Sequence, residues 1–242
     1  MYIYDIVSWC KIEFYHSHSN PLSAGGVLIL NGEPLINLLL PENVTVVKSF
    51  AFYNCKSLVK INIPNSVAKL GEQAFSGCSN VNYVYIGNGV ADIGTQCFSN
   101  CKGELVCNTS IPDTEDPSST YHSDTSGPFY GSKFSKVTFN DRAVKIGRHA
   151  FCTSGGGSGH TIDTLIINES LSVIGANAIG GVKNIFCMSK IPPKGESSMF
   201  TSSGLLKIYV PIDCADAYKA ASYWKDYASK IEGYDFENNP IE

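Results

Sequence analysis

Ile61-Asn62-Ile63-Pro64-Asn65-Ser66-Val67-Ala68-Lys69-Leu70-Gly71-Glu72-Gln73-Ala74-Phe75-Ser76-Gly77-Cys78 is the stretch from which the fold can be read. Its first residues alternate apolar with polar, the period of a half-buried strand. Pro64 then ends the strand, because proline has no N–H to give to a ladder. A shorter apolar pair follows, Val67 and Leu70. Gly71, like Gly94 after it, is expected to allow a tight bend. The Ala74-Phe75 pair is expected to plug an interior, where a fully buried Phe stabilises by about 1.5–3 kcal/mol. The pattern returns 23 residues away on either side: Phe52, Phe75 and Phe98 keep this step, as do Cys55, Cys78 and Cys101. So do Val44, Val67 and Val90, then Val47, Leu70 and Ile93. Such a period makes each unit one coil of a solenoid that cannot bury its apolar face alone.

Later coils keep the pattern with insertions. Val137-Thr138-Phe139, Ile146-Gly147 and Ala150-Phe151 form one repeat, and Leu165-Ile166-Ile167, Ile174-Gly175 and Ala178-Ile179 form the next. The glycine run Gly155–Gly159 lengthens the step between them to 28 residues. A polar stretch from Pro112 to Gly127 reads as an exposed loop, after which Phe129-Tyr130 resumes the Ala-Phe place. Both ends depart from the consensus, as capping requires. At the C-terminus, Cys214, Ala217, Tyr218, Ala221, Trp224, Ala228 and Ile231 fall at helical spacing. Asp213 and Asp216 mark a helix start.

Composition narrows the function classes. The formal net charge is −4 and the pI about 5.7, with scattered basic residues, which argues against nucleic acid or an anionic membrane as partner. No run of about 18 apolar residues exists to cross a bilayer. Met1–Ile6 lacks a basic region leading into a long apolar run and does not read as a signal peptide. Nine cysteines is an odd number, so not all can pair within the chain. Those of the repeat should stack at about 4.8 Å, the strand spacing. They read as a buried column that packs as small hydrophobes rather than as disulfides, and no pair has zinc-site spacing.

The motif at positions 61–78 resembles the BspA-like, or type 5, leucine-rich repeat of bacterial surface proteins. Trp9-Cys10-Lys11-Ile12, Asn20-Pro21-Leu22 and Leu30-Asn31-Gly32 are similar to that family's N-terminal segment. Ile208-Tyr209-Val210-Pro211, Ala217-Tyr218-Lys219 and Trp224-Lys225-Asp226 are similar to its C-terminal segment. The fold expected is a right-handed leucine-rich-repeat solenoid, mostly β, with parallel strands, short turns and 3₁₀ segments, and a C-terminal capping helix. It divides into a capping segment at 1–37, about seven coils of ~23 residues over 38–210 with insertions at 112–127 and 155–160, and a cap at 211–242. The resemblance implies a surface or secreted binding module that adheres to host matrix or other cells. It brings no catalytic residues and no cofactor.

Strand alternation names an exposed face. If Leu58, Ile61 and Ile63 point inward, Lys60 and Asn62 point outward. One outward column is then Ile29, Leu39, Asn62, Tyr85, Val106, Thr138, Ile166, Phe186 and Tyr209. Its neighbour is Asn37, Lys60, Tyr83, Lys136, Thr164, Asn184 and Lys207. A solvated face would be polar, so an apolar stripe beside a polar-cationic one suggests a contact surface. The alternative is that aromatic and β-branched residues simply suit strands, or that a second copy of the chain covers them. The expected ligand-binding residues, on a concave face, are Lys60, Asn62, Tyr83, Tyr85, Lys136, Thr138, Ile166, Phe186 and Tyr209. The ligand would be a protein or a carbohydrate, host-derived in an adhesin. A structural spacer within a larger surface protein is the alternative function.

Catalytic candidates are weaker, and the chain does not read as an enzyme. His16-Ser17-His18 lacks a third ligand, so no metal is expected. His122-Ser123-Asp124 sets triad residue types side by side, whereas a triad is assembled from distant residues. His149 reads as a turn residue. The glycine run before His160 lacks the Lys-Ser/Thr of a phosphate loop. The sequons at Asn43, Asn108 and Asn168 matter only on a glycosylating secretory route.

Overall fold

The computed structural model describes residues 1–114, 127–152, 162–201 and 204–241. Most of the expected insertion at 112–127 and all of that at 155–160 lie outside these residues. Nine strands form one sheet: β1 (Asn37–Leu39), β2 (Lys60–Ile63), β3 (Tyr83–Ile86), β4 (Lys102–Cys107), β5 (Lys133–Phe139), β6 (Ile162–Ile167), β7 (Val182–Cys187), β8 (Lys207–Pro211) and β9 (Ile231–Tyr234). Each strand pairs in parallel with the next in the chain. Parallel neighbours need a crossover, and here each crossover is the rest of one coil. Register holds one buried residue of every strand in a row: Leu38, Ile61, Val84, Leu105, Val137, Leu165, Ile185, Ile208 and Ile231.

Two-residue strands line the far side of the coils. Val46–Val47, Lys69–Leu70 and Asp92–Ile93 form one short parallel sheet, and Lys145–Ile146, Val173–Ile174 and Lys194–Gly195 form another. Ile111 bridges to Ile146 beside them. Between the two sides run the phenylalanines. Phe52, Phe75, Phe98, Phe129 and Phe151 stack in series, with centroid steps of 5.2, 5.3, 5.5 and 4.7 Å. Backbone hydrogen bonds hold the steps: Phe52 N–H donates to the Ala74 carbonyl at 2.7 Å, and Phe75 N–H to that of Cys97 at 2.9 Å. Phe129 thus does resume the repeat after the long loop.

Gly71 and Gly94 do not serve as expected. Neither has a positive φ. The left-handed turn falls two residues later, at Gln73 (φ 49°) and Gln96 (φ 52°). What excludes a side chain is the neighbouring coil: a Cβ on Gly71 would overlap the Ser49 backbone, and one on Gly94 the Glu72 backbone. These glycines permit close stacking, not bending.

The cysteine column is core packing. All nine thiols are free, and only Cys214 is not fully buried. Cys78 and Cys101 donate to the carbonyls of Phe52 and Phe75 at 3.1 and 3.4 Å. In the next coil the equivalent residue is Ser132, whose buried Oγ has no partner among the described residues. Burial pushes the thiols of Cys10, Cys107 and Cys152 up to about 12 and that of Cys187 to about 11. It holds Cys78 and Cys97 well above the usual range. The thiolate is the nucleophile, so these groups remain neutral and unreactive well above pH 8. A thiol reagent at pH 7.5 should label Cys214 rapidly and the other eight only after denaturation. Rapid native labelling of several thiols would contradict this packing.

Both ends substitute side chains for a missing coil. At the start, the Ala51 carbonyl has no preceding coil to donate to it. Trp9 Nε1 fills that place at 2.9 Å, and buried Asn20 donates to Phe50 and Ala51 carbonyls at 2.5 and 3.0 Å. Trp9 closes a short helix, α1 (Ile6–Cys10), whose first turn is capped by the Asp5 carboxylate. At the other end, Phe200 N–H donates to the Tyr227 hydroxyl at 3.2 Å, and that hydroxyl donates to the Phe200 carbonyl at 2.7 Å. Trp224 Nε1 donates to Pro193, and the Tyr218 hydroxyl to Ser189.

The C-terminal segment is not one continuous helix. It contains α2 (Ala215–Ala220), a 3₁₀ turn at Trp224–Lys230, and then β9. Ala221 is extended and Tyr223 is left-handed at φ 64°. That break turns Trp224 and Tyr227 onto Phe200, at ring distances of 5.7 and 5.5 Å. Asp213 lies in a 3₁₀ turn before α2 and makes no side-chain cap; Asp216 supplies the acid of the first helical turn.

Candidate ligand-binding face

The sheet register orders the outward residues. Leu39, Asn62, Tyr85, Val106, Thr138, Ile166, Phe186, Tyr209 and Glu232 are successive partners. Beside them run Asn37, Lys60, Tyr83, Glu104, Lys136, Thr164, Asn184 and Lys207. Ile29 is not in this row: it pairs with Tyr2 and Pro34 in a separate small sheet. The chain between Leu30 and Asn37 makes an antiparallel turn, which the repeat period could not announce.

The expected binding residues lie in two adjacent rows of the sheet but do not share one depression. Lys60, Asn62, Tyr83 and Tyr85 come together at the β1–β3 end. With Asn37, Leu39 and Ile61 they line an open depression of about 470 Å³, within the size range of small-ligand sites. Leu39 is 69% exposed there. Burial raises the pKa of the Tyr83 hydroxyl, and the nearby Glu104 carboxylate and Tyr85 add to it. The phenol therefore stays protonated and can donate a hydrogen bond.

Phe186 and Tyr209 lie at the other end and are occupied by one another. Their rings stack at 4.7 Å, and Tyr234 packs edge-on against both at 5.6 and 5.4 Å. Phe236 extends the cluster from Tyr234 at 4.9 Å. Lys207 pairs with Glu232, and Lys183 with Asp163 at 2.6 Å. Between the two ends, Lys136 and Thr138 are half-buried. Ile166 is only 9% exposed and belongs to the packed sheet rather than to an open face. Sequence reasoning missed Tyr234, Phe236 and Glu232 because helical spacing at 214–231 hid the alternation of β9. It missed Glu104 because a register shift between Gly103 and Glu104 breaks the count.

The remaining candidates do not converge. The rings of His16 and His18 lie 6.0 Å apart, each beside a serine hydroxyl. No group of three or more potential metal ligands exists among the described residues. His149 has φ 56°, as a turn residue would, and approaches Asn177 at 3.4 Å. His122, Ser123, Asp124 and His160 lie outside the described residues. No helix among the described residues is long and apolar enough to cross a membrane.

A comparison with curated proteins finds no match. Among solved structures, a leucine-rich repeat protein from Bacteroides ovatus is similar, at 19% identity and a TM-score of 0.45 over 72% of this chain. This chain spans 43% of that one. The family model for the BspA type leucine-rich repeat region matches in six copies, over residues 30–155 and 106–228. Those residues hold the phenylalanine stack and eight of the nine sheet strands, and the chain belongs to the BspA-type leucine-rich repeat family.

Proposed function

We propose that this chain is a non-enzymatic recognition module of a bacterial surface or secreted protein, binding a protein or carbohydrate ligand in adhesion. The observation that supports this most is the depression at β1–β3, where two tyrosines and Leu39 are partly or largely open to solvent. Aromatic side chains in such positions carry a large share of binding energy. The opposite end of the face packs its aromatics against one another, so the ligand surface is assigned to Asn37, Leu39, Lys60, Asn62, Tyr83 and Tyr85. Lys136 and Thr138 would form its margin.

The test is binding to arrays of extracellular-matrix proteins and glycans by the chain and by a Tyr83→Ala/Tyr85→Ala variant. The double variant should lose at least tenfold in affinity, the scale of a binding hot spot, with its far-UV circular dichroism unchanged. Retained binding by a folded double variant refutes this assignment. Absence of any ligand would favour a structural spacer.

A further inference from the structure

The β1–β3 depression carries chemical information beyond its shape. Its apolar lining is Leu39, Ile61 and the two tyrosines. Around it are polar groups that the protein leaves unused. Among the described residues, the side chains of Asn37, Lys60, Asn62 and Tyr85 make no hydrogen bond or ion pair. The far end of the same sheet differs: Lys183 and Lys207 are neutralised by Asp163 and Glu232, and Asn184 donates to the Asp163 carbonyl. Glu104 is aligned with Tyr83 one strand further from Lys60 and forms no pair with it.

Apolar ring surface, free amides and an unpaired ammonium make a specific combination. An extended peptide is held chiefly by backbone bonds at a sheet edge. The edge here is β1, whereas Lys60, Asn62, Tyr83 and Tyr85 stand on β2 and β3, whose backbone is already committed to the ladder on both sides. A pyranose uses side chains instead. Its C–H face rests on an aromatic ring, its hydroxyls exchange hydrogen bonds with amides and phenols, and an attached carboxylate takes a charge-assisted bond from an ammonium.

We infer that the depression binds an acidic saccharide, with Tyr83 and Tyr85 as the stacking surface, Asn37 and Asn62 as hydroxyl partners and Lys60 as the partner of the sugar carboxylate. This inference rests on the reading of the β1–β3 end as the ligand surface. The test is calorimetric titration of the full chain with hyaluronan tetrasaccharide and its carboxyl-reduced counterpart, and with sialyllactose and lactose. At least one acidic saccharide should bind, and its neutral counterpart about two- to fivefold more weakly, the range of an exposed ion pair. Lys60→Gln should abolish that difference, and Tyr85→Ala should abolish binding of both members. Equal affinity for acid and neutral forms, or a preference that survives Lys60→Gln, overturns the inference. So does the absence of binding by both acids at millimolar concentration. In that last case a protein ligand lost in the Tyr83→Ala/Tyr85→Ala variant would leave the ligand surface standing, and no ligand of either kind would remove both.

Discussion

Phe75→Ala should destabilise the chain by about 3–5 kcal/mol, toward the upper end of that range. Phe75 is fully buried inside the ring stack, 5.2 Å from Phe52 and 5.3 Å from Phe98. The cost of a large-to-small change depends on how well the site can collapse. Here it cannot, because the coil spacing is set by sheet hydrogen bonds at both sides and by the Phe75 N–H bond to Cys97. The rings above and below lose their contact together. Urea denaturation should show a lower midpoint with little change in slope. A loss under about 1 kcal/mol would mean that the stack closes over the gap, against the geometry argued here.

Trp224→Ala should cost a similar ~3–5 kcal/mol for the lost ring, and the Pro193 carbonyl would lose its donor, adding about 1–3 kcal/mol. Its effect should also be localised. A solenoid is stabilised by nearest-neighbour interfaces, so an exposed end frays first. Hydrogen exchange should accelerate through β7, β8 and β9 before it changes in β2 and β3. Trp224→Phe keeps an aromatic ring but removes the donor and part of the ring volume, so its loss should be smaller than that of Trp224→Ala. Uniform acceleration along the sheet would show that the cap supports the whole chain at once, contrary to the nearest-neighbour picture.

These two residues mark what was legible in different ways. Phe75 could be read from spacing because every coil meets the same problem and solves it with the same residue type. Its neighbours Gly71 and Gly94 were equally visible, yet their reason was not. A glycine in a turn-like context reads as a bend, and only the position of the adjacent coil shows that it makes room for backbone. Trp224 was visible as an apolar residue at helical spacing, but the break at Ala221 and Tyr223 that aims it at Phe200 depends on what it must cover.

For the binding face, alternation within β2 and β3 was enough to turn Lys60, Asn62, Tyr83 and Tyr85 outward, because side-chain direction in a strand is local. Nothing local distinguishes Tyr85 from Tyr209. Tyr209 is covered because Tyr234, 25 residues later, returns to the same sheet. Ile166 is withdrawn from solvent in the same column that leaves Leu39 exposed.

The sequence by itself determined the coil: its 23-residue period, its inward phenylalanines and thiols, and the alternation that separates inside from outside. Each of these depends on a residue and its near neighbours repeating one physical solution. Tertiary structure alone decided the ends and the open half of the face. There, hydrogen bonds and ring contacts close between residues about 25 to 50 positions apart, and whether a polar group finds a partner depends on the whole stack.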